Sequence, residues 1–293
     1  MTNDGPPVVA PAAAAGRWVE QARAVLNRIE ATQMPAIAQT AMRCAQTIGG
    51  GGLVHLFGTG HSRIPLEEMF PRYGSYPGFH PIAELSMTFH TQIAGVNGQR
   101  QAMFIERVEG LAAQILANFF FAPSDLMIVF STGGLSAVPI EMAMGAHDRG
   151  IGVVAVTSVA QSMAGPPQHS SGTRLLDHGD IVIDLCTPPG DALVALPGAD
   201  TPVGPGSTTA YAMIVNEIKV QTAAHLAARG QLPPVISSAA VVGPHRAEQL
   251  FDAAYRDHAR RLARALAGPE AGQRSPVGNE PAGATGRRTT TDT

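Results

Sequence analysis

The sequence predicts an α/β fold: a doubly wound parallel sheet flanked by helices, with further helical segments ahead of it and behind it. Three observations predict it. Short runs at 53–57, 126–130, 152–157 and 181–185 are almost continuously apolar, as strands covered on both faces are. The last three begin 26 and 29 residues apart, which leaves room for a crossover helix between parallel neighbours. Loops rich in Gly, Ser and Thr follow the first two runs, and each gives way to a helical pattern.

Taken in order, residues 1–15 are rich in Pro and Ala and read as a disordered leader. Asp4 and the prolines at 6, 7 and 11 do not suit a signal peptide. Trp18, Ala22, Val25 and Ile29, then Ile37, Ala41, Cys44 and Ile48, recur at helical spacing. Pro35 stands between the two sets and is expected to kink the helix or divide it. Leu53–Phe57 is the first strand and leads into Gly58-Thr59-Gly60-His61-Ser62. Leu126–Phe130 leads into Ser131-Thr132-Gly133-Gly134-Leu135-Ser136, and a helix then begins near Pro139 and ends at Gly150, a suitable C-terminal cap. Gly152–Thr157 and Ile181–Leu185 are further strands. A helix from Ser207 to about Arg229 is entered by Gly206-Ser207-Thr208-Thr209, where a hydroxyl suits the first turn. Residues 231–243 hold the prolines of a surface crossing. The last helix, about His245–Leu266, carries Leu250, Ala254, His258 and Leu262 along one face. Residues 267–293 read as a disordered tail, which leaves a single domain over 16–266.

A chain of 293 residues with 45% hydrophobic and 15% charged residues buries a substantial core. Its net charge of −3 offers no general attraction to nucleic acid or acidic membranes. No apolar run approaches the ~18–20 residues of a membrane span. The two cysteines, Cys44 and Cys186, fall in a helix and a strand, so a disulfide framework or a cysteine zinc site is not expected. Free thiols suit a cytoplasmic protein. No His/Asp/Glu set shows a recognised metal spacing, so neither a metal nor another cofactor is expected.

In an open parallel sheet, ligands bind beyond the carboxyl ends of the strands, where both loops lie. Each loop opens a helix, whose first N–H groups and dipole favour an anion. Glycines let the main chain approach closely and hydroxyls add donors, a combination suited to phosphate. Gly58 and Gly60 do not begin a dinucleotide fingerprint, because Arg63 stands where its third Gly or Ala belongs. Ser131 lies in no Gly-x-Ser-x-Gly elbow, which argues against a hydrolase nucleophile.

Gly58-Thr59-Gly60-His61-Ser62 resembles the first phosphate loop of SIS (sugar isomerase) domains. Ser131-Thr132-Gly133-Gly134-Leu135-Ser136, with Val138-Pro139-Ile140-Glu141 and the strand ending in Val156-Thr157, resembles the second. The similarity covers about 50–230 and is nearest to an uncharacterised bacterial branch. To that branch also belong His169-Ser170-Ser171-Gly172, Gly206-Ser207-Thr208-Thr209 and Pro233-Pro234-Val235. Phosphoheptose isomerase, the isomerase half of glucosamine-6-phosphate synthase and N-acetylmuramic acid 6-phosphate etherase are more distant relatives. The resemblance implies a five-stranded flavodoxin-like sheet, a homodimer or homotetramer, and a phosphorylated sugar as ligand. It implies phosphate contacts from Ser62, Ser131, Thr132 and Ser136, with Gly58, Thr59, Gly60, His61, Gly133, Gly134, Ser207 and Thr208 around the ligand. One departure stands out: Gly133 occupies the place of the usual middle serine. A hydrogen bond to a charged group is worth ~1.5–3 kcal/mol, so its loss lowers affinity by about one to two orders of magnitude.

Aldose–ketose isomerisation needs a base that moves a proton between adjacent carbons. Glu67 and Glu68 follow the first loop, but neighbours on a helix diverge by about 100 degrees, so at most one faces the ligand. Glu217 is the other candidate base, and His225 the candidate for ring opening, by resemblance to isomerases of this class. The two lie about 80 degrees and ~12 Å apart on a helix. His61 and His169 sit in loops, to orient them or to touch the sugar. His55 reads as a core residue; His245 and His258, among Arg246, Arg256, Arg260 and Arg261, read as a solvated face. The expected function is therefore a sugar-phosphate isomerase with Glu217 or Glu68 as base. A sugar-phosphate sensor without turnover and an etherase-type lyase are the alternatives. The 50 residues before the first strand are too few and too acid-balanced for a DNA-binding domain with its linker.

Overall fold

The computed structural model describes residues 14–88 and 98–268. The expected leader and tail lie almost wholly outside the described residues. Strands β1 (Val54–Gly58), β2 (Phe79–Ile82), β3 (Leu126–Phe130), β4 (Gly152–Thr157) and β5 (Ile181–Asp184) form one parallel sheet in the order β2-β1-β3-β4-β5. Hydrophobic patterning does not single out β2, whose four residues include Pro81. Proline cannot donate to a ladder, and β2 tolerates it because it is an edge strand.

Ten helices are described: α1 (Arg17–Gly49), α2 (Ile64–Met69), α3 (Leu85–Thr88), α4 (Gly98–Ile105), α5 (Leu111–Leu116), α6 (Ala137–His147), α7 (Val159–Met163), α8 (Ser207–Ala228), α9 (Ala239–Val242) and α10 (Pro244–Ala267). A small antiparallel pair, β6 (Ala192–Val194) and β7 (Val203–Pro205), precedes α8. Side chains alternate across the sheet. Val54, Leu56, Ile128, Phe130, Val154 and Val156 pack with α1 and α8 in one core. Phe57, Met127, Val129, Val153 and Ala155 pack with α5 and α6 in the other. No described helix is long and apolar enough to cross a membrane.

Two expectations need correction. α1 runs unbroken through Pro35, so the segment is not divided. Ile29 and Ile37, on either side of the proline, are both fully buried in one core, and that packing keeps the segment helical across it. His258 does not belong to a solvated face: it is buried, with its ring edge-on to Phe70 at 5.2 Å. It shares the inward face of α10 with Ala254, whereas His245 is exposed as expected. The cysteines are free, with Cys44 buried in α1 and Cys186 just beyond β5.

His55 is the core residue anticipated, and it belongs to a buried polar chain. Its Nε2 lies 3.2 Å from Asp125 Oδ2 and its Nδ1 lies 2.9 Å from His80 Nδ1. Burial pushes His80 down to about 3, with His55 and His258 adding to the effect and Asp125 opposing it. A histidine neutral in the fold but protonated near 6.5 when unfolded costs stability as pH falls from about 6.5 toward the folded value. Urea unfolding at pH 7 and pH 5 is expected to differ by about 2 kcal/mol from this residue alone. His80→Asn should show a correspondingly shallower pH dependence.

Candidate functional site

Parallel pairing sets Gly58 at the end of β1 opposite Phe130 at the end of β3, so the two loops leave adjacent strand tips. The chain goes from β1 to one edge of the sheet and from β3 toward the other, which makes this gap the topological switch point. The first loop is tight: a Cβ at Gly58 would stand 2.3 Å from the Ser62 carbonyl oxygen. It continues as a 3-10 turn, Gly60–Arg63, which brings the largely buried Ser62 back over the sheet. In the second loop Gly134 has φ 62°, and a Cβ there would stand 2.8 Å from Thr157 Oγ1. Its N–H donates to Ser131 Oγ at 3.2 Å, which fixes the turn.

Three hydroxyls meet above the switch point. Ser62 Oγ and Thr132 Oγ1 are 3.4 Å apart, and Tyr211 OH lies 3.3 Å from the first and 3.2 Å from the second. Burial raises the Tyr211 phenol far above its usual range, against hydrogen bonds from Ser62 and Thr132, so it stays protonated and able to donate. Motif reasoning does not find Tyr211. It lies one turn into α8 on the face shared with Ala210 and Ile214, a position that patterning assigns to core packing.

Glu106, just after α4, is the second residue that motif reasoning missed. Its Oε2 accepts from Thr59 Oγ1 at 2.7 Å and its Oε1 from Ser136 Oγ at 3.0 Å. Its carbonyl accepts from Val138 N at 3.0 Å. One carboxylate therefore bridges both loops at the start of α6, where the helix dipole favours an anion. This corrects the expectation of two open helix starts: the Glu106 main-chain carbonyl takes the Val138 N–H of α6 while its carboxylate holds the N-cap Ser136 hydroxyl, and α2 has only six residues. The N–H groups of Gly133 and Leu135 make no hydrogen bond among the described residues. They remain as main-chain donors beside the hydroxyl cluster.

The other candidates stand as follows. Glu67 is exposed and pairs with Arg63 one turn away. Glu68 is held between α2 and α8: it pairs with Arg72, accepts from Asn216 at 3.2 Å, and meets the buried Lys219 Nζ at 3.5 Å. Burial raises its carboxyl, but Asn216, Lys219 and Arg72 together hold it below the usual range. Glu217 is half-buried and accepts from Gln221 on its own helix at 2.8 Å. His225 is exposed toward the far end of α8, and His61 is exposed in the first loop. Ser207 donates to Asp191 through both its N–H and its hydroxyl. The carboxylate of Asp191, rather than a hydroxyl of 206–209, thus caps α8; Thr208 is half-buried beside it.

His169 is buried, and its Nε2 lies 3.4 Å from Glu141 Oε1 and 3.9 Å from Glu109 Oε1. These three donors, within 4.8 Å of one another, are the set among the described residues with the chemistry of a divalent-cation site. Sequence spacing concealed it, because the residues come from three separate segments. Hydrogen bonds already occupy each member: Glu141 accepts from Gly110 N, Glu109 from Ser170 N and Oγ, and His169 Nδ1 lies 2.7 Å from Ser171 Oγ. Through these bonds the set clamps residues 109–110 to α6 and to the 169–171 turn.

The family model of the SIS domain matches residues 17–158, a span that includes both loops. The UPF0309 protein of Streptomyces coelicolor is 32% identical over 233 residues, covering 79% of this chain and 90% of its own. A UPF0309 protein of Listeria monocytogenes is 33% identical over 214 residues, covering 73% and 84%. The chain belongs to the SIS-domain family and, within it, to the UPF0309 proteins. Among solved structures, a phosphoheptose isomerase from Francisella tularensis is similar with a TM-score of 0.46 and 18% identity, over 73% of this chain and 98% of that one. The Vibrio vulnificus NanR protein complexed with ManNAc-6P gives a TM-score of 0.42 and 15% identity, over 80% and 67%.

The geometry separates the two neighbouring glutamates of α2. Glu68→Gln leaves the buried Lys219 without its counter-charge and is expected to cost about 1–3 kcal/mol in urea unfolding. Glu67→Gln removes only an exposed pair and should stay within about 0.5 kcal/mol of the parent.

Proposed function

We propose that this chain binds a phosphorylated sugar at the switch point and interconverts its aldose and ketose forms. The observation that carries the reading is the meeting of Ser62, Thr132 and Tyr211 hydroxyls beside a carboxylate, Glu106, that spans both loops. The hydroxyls and the N–H groups of Gly133 and Leu135 supply donors for the phosphate oxygens. Membership of the SIS-domain family supports the same ligand class. Enediol chemistry then needs one base near the sugar's first two carbons. Glu106 suits that role by position, because its carboxylate lies between the two loops, whereas the hydrogen bonds of Glu68 and Glu217 run to Arg72 and α8 rather than to either loop. The protein is further proposed to be cytoplasmic and to act as a homodimer or homotetramer.

A second reading follows from the same carboxylate. Glu106 accepts from two hydroxyls through its side chain and from Val138 N of α6 through its carbonyl, which is also what a purely structural clamp would do. A sugar-phosphate sensor without turnover has that property.

Thermal shift with hexose, heptose and amino-sugar phosphates tests binding, and proton NMR in D2O tests exchange into the bound sugar. Stabilisation with exchange is expected, and Glu106→Gln should keep the binding while slowing exchange about 100-fold or more. Stabilisation without exchange identifies the sensor, and release of lactate from an amino-sugar ether identifies a lyase. Stabilisation by none of the panel would retire phosphosugar binding altogether.

A further inference from the structure

The second loop is short of side-chain donors in a specific way. Ser131 Oγ accepts from Gly134 N, which fixes its position but leaves its proton to donate, whereas Ser136 Oγ spends its proton on Glu106. Gly133 contributes no side chain, although its φ is outside the left-handed region and the backbone there does not call for glycine. The space in front of it is not vacant. A Cβ at position 133 would meet one side chain within 4 Å, the amide of Gln161, with Nε2 at 3.5 Å.

Gln161 lies on α7, which follows β4, the strand next to β3 in the sheet. Its helix is fixed against the loop from behind. Ser158 caps α7, accepting from Gln161 N at 3.2 Å and donating to Thr187 O at 2.7 Å. A Cβ at Gly134 would lie 3.3 Å from Ser162 Oγ, so α7 and the loop are in close contact. Yet the Gln161 side-chain amide makes no hydrogen bond among the described residues, and its Oε1 is buried without a partner. The neighbouring Ser162 Oγ, on a fully buried residue, is also unpartnered. Buried polar groups are nearly always paired, and each exception calls for a specific explanation, such as a ligand that completes the pairing.

We infer that Gln161 is a ligand-binding residue of the second loop, its amide standing in front of Gly133 to meet the phosphate or the sugar hydroxyl next to it. The inference rests on the phosphosugar reading and goes beyond it by naming a donor from a different strand. An amide both donates and accepts, whereas a serine side chain in place of Gly133 would be shorter and set closer to the loop. The pair Gly133 and Gln161 therefore admits a bulkier or more hydroxylated group beside the phosphate than a serine in the loop would.

Isothermal titration with fructose 6-phosphate, N-acetylglucosamine 6-phosphate and inorganic phosphate tests it. Gln161→Ala should lower affinity for the bound probe about tenfold or more without lowering Tm, since the amide has no protein partner to lose. Gln161→Glu keeps the shape but sets a negative charge before the phosphate, and should bind more weakly still. Adding Gly133→Ser to Gln161→Ala should recover most of the loss, while Gly133→Ser alone should gain little. A probe that binds the parent and Gln161→Ala equally, but not Ser62→Ala, overturns the role of Gln161 alone. Failure of all three probes to bind the parent overturns the phosphosugar reading along with it.

Discussion

The site depends on the parallel register between β1 and β3. That register places Gly58 beside Phe130, so two loops far apart in the chain begin within one strand spacing of each other. Nothing in either loop could meet the other without it. The hydroxyls of Ser62 and Thr132 are 70 residues apart in sequence and 3.4 Å apart in space. A slip of one residue would turn alternating side chains such as Leu56 and Phe57 toward the wrong cores, so packing on both faces guards the register.

Glu106 turns this proximity into a fixed shape. A carboxylate with two lone-pair-rich oxygens can accept from two hydroxyls at once, and here it draws them from opposite sides of the gap. Placed at the start of α6, its charge is also favoured by the helix dipole. The same segment continues to Glu109, which with Glu141 of α6 and the buried His169 adds directed hydrogen bonds to the apolar packing of the wall beyond the second loop. Charge-assisted hydrogen bonds of this kind impose direction, which apolar contacts do not.

α8 closes the other side and serves two purposes along its length. Its first turns carry Ser207, held by Asp191, and Tyr211, which completes the hydroxyl cluster. Two turns later Lys219 reaches Glu68 on α2, with its Nζ donating to the Glu68 carbonyl at 2.8 Å. A buried ammonium is costly unless paired, so this contact ties α2, and through it the first loop, to α8. Glu68 is thereby more a strut than a free base.

The sequence by itself determined the fold class, four of the five strands, both loops and the helices at either end. Those features are written in local periodicity and in glycine positions, each readable over a few residues. It also singled out Ser62 and Thr132, which the fold then brings together. It did not show β2, because four residues with a central proline fall below any pattern of alternation. Nor did it show Glu106, Tyr211 or Gln161, which carry no motif and gain their meaning only from what they meet. Gly133 was legible as a missing donor, but its counterpart on α7 was not, since the two converge only after β3 and β4 pair. Local chemistry fixes which elements form. Which side chains share a crevice is decided by the pairing of strands, because distance along a folded chain is not distance along its sequence.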